Sequence, residues 1–360
     1  MIRSLRTTGL PFLAFSLLLL LLSCSSQEGD KEAQKERGES ILSHEQQPGP
    51  FHGKIIYRLK WLYNASTLGD LWALKKGIFK RYGLLVEIRE GGAETDAIKE
   101  IELGRAMFGV ASADQVLRAV SKGADVAVVA QFFQKNPFQW IYIKERTGFD
   151  PDHPAKSLKK VTVAITYGGN DETIFKALVH KLGLSPEDLH IYAKTQDYSP
   201  FWKNRVQLWP VYINTQGVML QEKILASGQT PGFLDPERYG IRFVANSLIT
   251  SSDIVKKYPE TVARFRAAVL EGWLQALKAG NRQEAASMLM EIEPGLSERT
   301  ALQQIDLTAR LVLPAGKPIG TIDKAGWQKT LKIMGDQKLL KEGAEGQIDL
   351  SAILIDSRTL

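Results

Sequence analysis

The chain has 360 residues, with 46 lysines and arginines against 40 aspartates and glutamates and a formal charge of +6. The basic residues are scattered rather than gathered into a patch, which argues against nucleic acid as a partner. The length allows two lobes that each bury a core, and a single cysteine excludes an intramolecular disulfide.

Arg3 and Arg6 precede an apolar run from Leu10 to Leu22. That run is shorter than the roughly 20 residues needed to cross a bilayer, so residues 1–23 read as a signal peptide. It ends in "LLSC" (21–24), which resembles the lipobox of bacterial lipoproteins. The resemblance implies cleavage before Cys24, a lipid on its thiol, and a place in the cell envelope on the periplasmic or another extracytoplasmic face. Loss of Arg3 and Arg6 lowers the formal charge from +6 to +4. Residues 24–52 are expected to form a flexible tether, because 25–50 hold no aromatic residue and many charged or amide ones.

Strands and helices then alternate. Strands are predicted over 54–62, 84–90, 106–112, 125–133 and 139–144, with helices over 66–83, 94–104 and 113–123 between the first four of them. After "GFDPDHP" (148–154) the pattern restarts: a strand at 159–166, a helix at 170–183, a strand at 189–194, a turn at 199–205, then "VQLWPVY" running into a helix at 215–227. A return strand is predicted over 241–251, followed by a largely helical remainder. This order predicts an α/β fold of two lobes joined by crossovers and carrying a helical C-terminal tail. The expected lobes are 53–147 plus 247–360, and 148–246.

Several stretches carry a resemblance: "WLYNASTLGDLWALKKGIFKRYGLLVEI", "GVASADQVLRAVSKGADVAVVAQFFQKNPFQWIYIK", "SLKKVTVAITYGGNDETIFKALVHKLGL" and "LWPVYINTQGVMLQEKI". In this order, over about 54–280, the chain resembles ABC-transporter substrate-binding proteins of the group that binds pyrimidine precursors of thiamine, with the related nitrate, sulfonate and taurine binders. The resemblance implies a type II periplasmic-binding-protein-like fold, an interlobe ligand cleft closed by hinge motion, a monomer, and an ABC permease and ATPase as partners. It implies a thiamine pyrimidine precursor as solute, with riboflavin or nitrate, sulfonate or taurine as alternatives, or a sensory lipoprotein that kept the fold. The chain departs from the family pattern at Gln207, where an aspartate is usual, and at Asn214-Thr215-Gln216-Gly217, where Asn-Glu-Pro is common.

Ligands of open α/β sheets lie beyond the carboxyl ends of the strands, which singles out particular residues. Tyr63 and Asn64 follow the first strand, Ser112 and Asp114 the third, and Asn136 precedes the fifth. Capping of a helix start is the competing role for Asn64 and Asp114. In "TYGGNDE" (166–172), Gly168 and Gly169 permit close backbone approach, Asn170 opens a helix, and Tyr167 offers a ring or hydroxyl. Trp209 and Tyr212 would point to opposite faces of an unbroken strand. A turn at Pro210 is expected to bring both rings, with Asn214, to one neutral wall. No HExxH, G-x-S-x-G, P-loop or GxGxxG pattern is present, so no enzyme, metal or cofactor is expected. Yeast relatives make the thiamine pyrimidine using pyridoxal phosphate and a cysteine cluster for iron. Cys24 as sole cysteine leaves no such cluster.

Overall fold

The structure is a computed structural model that describes residues 49–355 apart from 93, 314 and 315. The signal peptide, Cys24 and the tether up to residue 48 lie outside the described residues. Among the described residues no helix is long and apolar enough to cross a membrane.

The first sheet is built from β1 (Lys54–Arg58), β2 (Leu85–Arg89), β3 (Phe108–Ala111), β4 (Ala127–Gln131) and β10 (Ser247–Thr250) in the order β2-β1-β3-β10-β4. β1 is parallel to β2 and β3, whereas β10, entering from the far half of the chain, runs antiparallel to β3 and β4. β3, β4 and β10 are buried along their whole length, which accounts for their nearly continuous apolar sequences.

The helices supporting this sheet are α1 (Leu68–Lys75), α2 (Ala97–Glu102), α3 (Ala113–Val120) and the late α7 (Pro259–Ala276). The helix expected over 66–83 is interrupted at Gly77, whose φ of 66° lies in the left-handed region. The long helix expected after 252 is split at Pro259 into α6 (Ser252–Lys257) and α7, since proline cannot donate within a helix but suits its first position. α1 and α7 touch backbone to backbone: a Cβ on Gly69 would lie 2.1 Å from the Trp273 ring, and one on Gly272 2.5 Å from the Gly69 carbonyl. Phe265 of α7 stacks on Phe108 of β3 with centroids 3.8 Å apart.

The second sheet contains β5 (Phe138–Ile143), β8 (Trp209–Tyr212) and β9 (Pro231–Leu234), all antiparallel neighbours in the order β8-β5-β9. β6 (Thr162–Ile165) and β7 (His190–Ala193) pair in parallel. A bridge from Val163 to Leu208 sets β6 beside β8. β9 carries no helical or alternating signal in "PGFL". Its Gly232 is required because a Cβ there would fall 2.3 Å from the Tyr142 ring. β5 belongs to this second sheet, so the chain leaves the first sheet before Phe138, not after residue 147 as the sequence suggested. Local patterning shows a strand but not which edge it joins.

Between and after these strands come α4 (Asn170–Lys181), α5 (Gln216–Ala226), α8 (Arg282–Ile292), α9 (Glu298–Val312) and α10 (Lys324–Asp336). The two sheets with flanking helices and a helical C-terminal region form the two-lobed α/β architecture expected of a type II periplasmic-binding-protein-like fold.

Candidate ligand-binding site

Turns at the strand ends of both sheets face one cavity of about 150 Å³, many times the roughly 10–15 Å³ that a single water requires on such a measure. Helix starts converge on it. Asn64 accepts from the Ser66 N–H at 2.8 Å while the Thr67 hydroxyl accepts from the Asn64 N–H at 3.1 Å, a reciprocal cap ahead of α1. Asp96 caps α2, accepting from the Ile98 N–H at 2.7 Å, and Asp171 in the first turn of α4 accepts from the Thr166 N–H at 2.6 Å. The first N–H groups of a helix have no intrahelical acceptor, and at these starts the ones named are taken by the capping side chains.

Gly168 has φ 76°, and a Cβ on Gly169 would meet Asp171 Oδ1 at 2.4 Å. The pair is therefore needed to lead β6 into α4. Tyr167, mostly exposed, stands at the rim. Across from it, the Tyr212 hydroxyl accepts from Lys60 Nζ at 3.0 Å and faces Asn170 Nδ2 at 3.5 Å. Lys194 Nζ lies 6.0 Å from the centre of the Trp61 ring, within cation–π range. Lys60 and Trp61, both after β1, thus meet an aromatic ring at the end of β8 and a lysine at the end of β7.

Burial shapes the charges. Removal from water pushes the Asp70 carboxyl up to about 7, opposed by the Tyr57 hydroxyl that donates to it at 2.8 Å. Burial likewise raises Asp171, against the Thr166 N–H, and lowers Lys194, against the charge of Asp171.

Of the residues singled out in the sequence, Asn64, Tyr167, Gly168, Gly169, Asn170 and Tyr212 line the cavity together. The remaining six are turned elsewhere. The Tyr63 hydroxyl donates to the Ile88 carbonyl at 3.0 Å and its ring packs on the first core. Ser112 is fully buried and donates to Asp114 at 2.5 Å, so both are occupied in starting α3. Asn136 bridges the Phe243 carbonyl and the Phe138 N–H. Asn214 is fully buried, its amide donating to Ser66 Oγ at 3.1 Å and Thr308 Oγ1 at 2.9 Å.

Trp209 requires a correction. Pro210 does not break the strand: it pairs with Trp140 inside β8. The bridge to β6 is made at Leu208, which leaves the following residues an edge on that side, where proline is admitted. Side chains therefore alternate, and Trp209 is fully buried among Tyr192, Tyr198 and Phe201 while Tyr212 reaches the cavity. Gln207 is also remote, its side chain accepting from the Thr162 N–H at 2.8 Å.

The wall is not neutral, because Lys60, Asp70, Asp96, Asp171 and Lys194 all line it. Lys60, Trp61 and Lys194 lie just past the ends of β1 and β7, but the strands predicted over 54–62 and 189–194 ran through them, so the strand-end rule did not single them out. Asn246 had no strand-end signal either, since it lies in the return crossover ahead of β10.

Residues 64–282 match the family described as "NMT1/THI5 like". No curated protein sequence matches the chain. Among solved structures, a Bordetella bronchiseptica RB50 protein is 17% identical with a TM-score of 0.65, covering 85% of this chain and 95% of that one. The periplasmic aliphatic sulphonate binding protein SsuA of Escherichia coli is 15% identical with a TM-score of 0.64, covering 84% and 92%. The periplasmic nitrate-binding protein NrtA of Synechocystis PCC 6803 is 12% identical with a TM-score of 0.61, covering 87% and 88%. These likenesses concern the fold. The sequence match extends over more than half of the residues, and on it the chain belongs to the NMT1/THI5-like family.

Proposed function

We propose that the protein is the solute-binding component of an ABC importer, capturing a small flat heterocycle in the cleft and presenting it to a permease and ATPase. The observation that carries this reading is the convergence of Trp61, Phe138, Tyr167 and Tyr212, drawn from both sheets, on one cavity with helix starts around it. Flat faces hold a ring and a few fixed donors orient it. A thiamine pyrimidine precursor, such as a hydroxymethyl- or formylamino-pyrimidine, has the size and flatness for such a site. The contact set we assign is Asn64, Tyr167, Gly168, Gly169, Asn170 and Tyr212, joined by Lys60, Trp61 and Lys194.

The lobes we assign follow sheet membership, with crossovers at 132–137 and 235–246. Closure about them would trap the solute. A lipid on Cys24 would hold the monomer at the membrane, and the step needs no bond making or breaking by the protein.

A thermal-shift series on the purified full-length protein, with pyrimidines, flavins, sulfonates and nitrate, tests the reading. A ring solute at 100 times its dissociation constant adds about 2.7 kcal/mol of stability, a rise of several degrees. No rise with any ring compound defeats the proposal.

A further inference from the structure

Ser66 lines the cavity in the turn after β1, and a chain of buried polar groups stands behind its side chain. Asn214, in the turn after β8, donates through Nδ2 to Ser66 Oγ at 3.1 Å and to Thr308 Oγ1 at 2.9 Å. Thr308, on α9, donates in turn to the Gln304 carbonyl at 2.7 Å. Asn214 and Thr308 are fully buried, whereas Ser66 keeps 7% of its surface open.

The last link fixes the direction of the first. A backbone carbonyl can only accept, so the Thr308 proton goes to Gln304 and the Thr308 oxygen is left to accept. That holds the Asn214 amide with its nitrogen toward Thr308 and Ser66 and its oxygen turned away, where it has no partner. The reverse orientation would leave two buried N–H groups unpaired in place of one carbonyl, and unpaired N–H groups are the rarer of the two in folded proteins. Ser66 Oγ therefore accepts, and its own proton is left over. Among the described residues the Ser66 hydroxyl donates to no acceptor. The nearby Asn64 oxygens are already taken, Oδ1 by the Ser66 N–H at 2.8 Å and the carbonyl by the Thr67 hydroxyl at 2.9 Å.

We propose that the Ser66 hydroxyl is a solute-contact donor, aimed into the cavity by Asn214 and Thr308 as positioning residues, and that it selects a ring bearing an acceptor nitrogen. This rests on the reading of the cleft as a ring-binding site and adds one atom of the solute to it. A ring with carbon in that place leaves the hydroxyl proton unpaired, which is how a hydrogen-bonding site rejects an analogue of the same shape.

The test is calorimetric titration of the full-length protein with two probes of one shape. They are 4-amino-5-hydroxymethyl-2-methylpyrimidine and 2-amino-4-methylbenzyl alcohol, which has carbon at both ring-nitrogen positions. The parent is expected to prefer the pyrimidine by about tenfold, and Ser66→Ala to shrink that preference about fivefold. Thr308→Val keeps the shape but removes the acceptor that holds the Asn214 nitrogen, so the amide oxygen can turn onto the Ser66 proton. It should shrink the preference too, although Thr308 does not line the cavity. A purely structural role for either residue weakens both probes alike and leaves their ratio unchanged. Ser66→Ala is the milder change and remains informative if Thr308→Val fails to fold. Equal binding of the two probes by the parent, or a preference unchanged by Ser66→Ala, overturns the inference while leaving ring capture intact. A preference lost in Ser66→Ala but kept in Thr308→Val overturns the positioning role. Binding of neither probe overturns both the inference and ring capture.

Discussion

Lys60 Nζ donates to the Tyr212 hydroxyl at 3.0 Å, tying the turn after β1 in the first sheet to the end of β8 in the second. The ammonium also stands 5.6 Å from the Tyr212 ring centre. Tyr212→Phe keeps the ring and removes the acceptor. A hydrogen bond of this kind contributes about 1 kcal/mol, so the variant should bind its ring solute about fivefold more weakly, chiefly through faster dissociation in stopped-flow. Its thermal midpoint without solute should fall only slightly, by no more than the loss of that one hydrogen bond.

Trp209, three residues earlier, should behave in the opposite way. It is fully buried in the core beneath the second sheet. Trp209→Ala removes a large ring from a packed interior, a change that costs about 3–5 kcal/mol. Urea unfolding should show that loss, whereas solute affinity of the folded fraction should be little altered. A variant that unfolds normally yet has lost binding would restore Trp209 to the site.

Asp70 makes stability depend on pH in a definite direction. Burial raises its carboxyl from 3.8 to about 7, so the folded state binds its proton more tightly than the unfolded chain. That contribution is complete below about pH 4 and is lost as pH rises through about 7. Glu293, also raised by burial to about 7, adds to the same window. Asp70→Asn should flatten the decline of thermal midpoint between pH 4 and 7, with Glu293→Gln flattening it further. An unchanged slope in the double variant refutes the assignment.

Gly69 and Gly272 allow α1 and α7 to meet at backbone distance. A methyl group at Gly69 would collide with the ring and the backbone of Trp273, neither of which can retreat within a packed core. Gly69→Ala should therefore destabilise by roughly 1–3 kcal/mol or more, readable as a lower urea midpoint with little change in helix content.

The sequence by itself determined most of the elements and their alternation, β9 excepted, because strand and helix periodicity, caps and glycine stops act over a few residues. It also placed the "TYGG" turn and the turn after β1 at the cavity, since both lie at carboxyl ends of strands. Tertiary structure decided what depends on long-range pairing. It put β5 in the second sheet and kept Pro210 inside β8, which sent Trp209 into the core and Tyr212 to the cleft. It also brought Lys60, Lys194 and Asn246 to the same cavity from three separate parts of the chain. A side chain's face is set by strand register, and its neighbours by sheet order, and neither is written in the residues immediately around it.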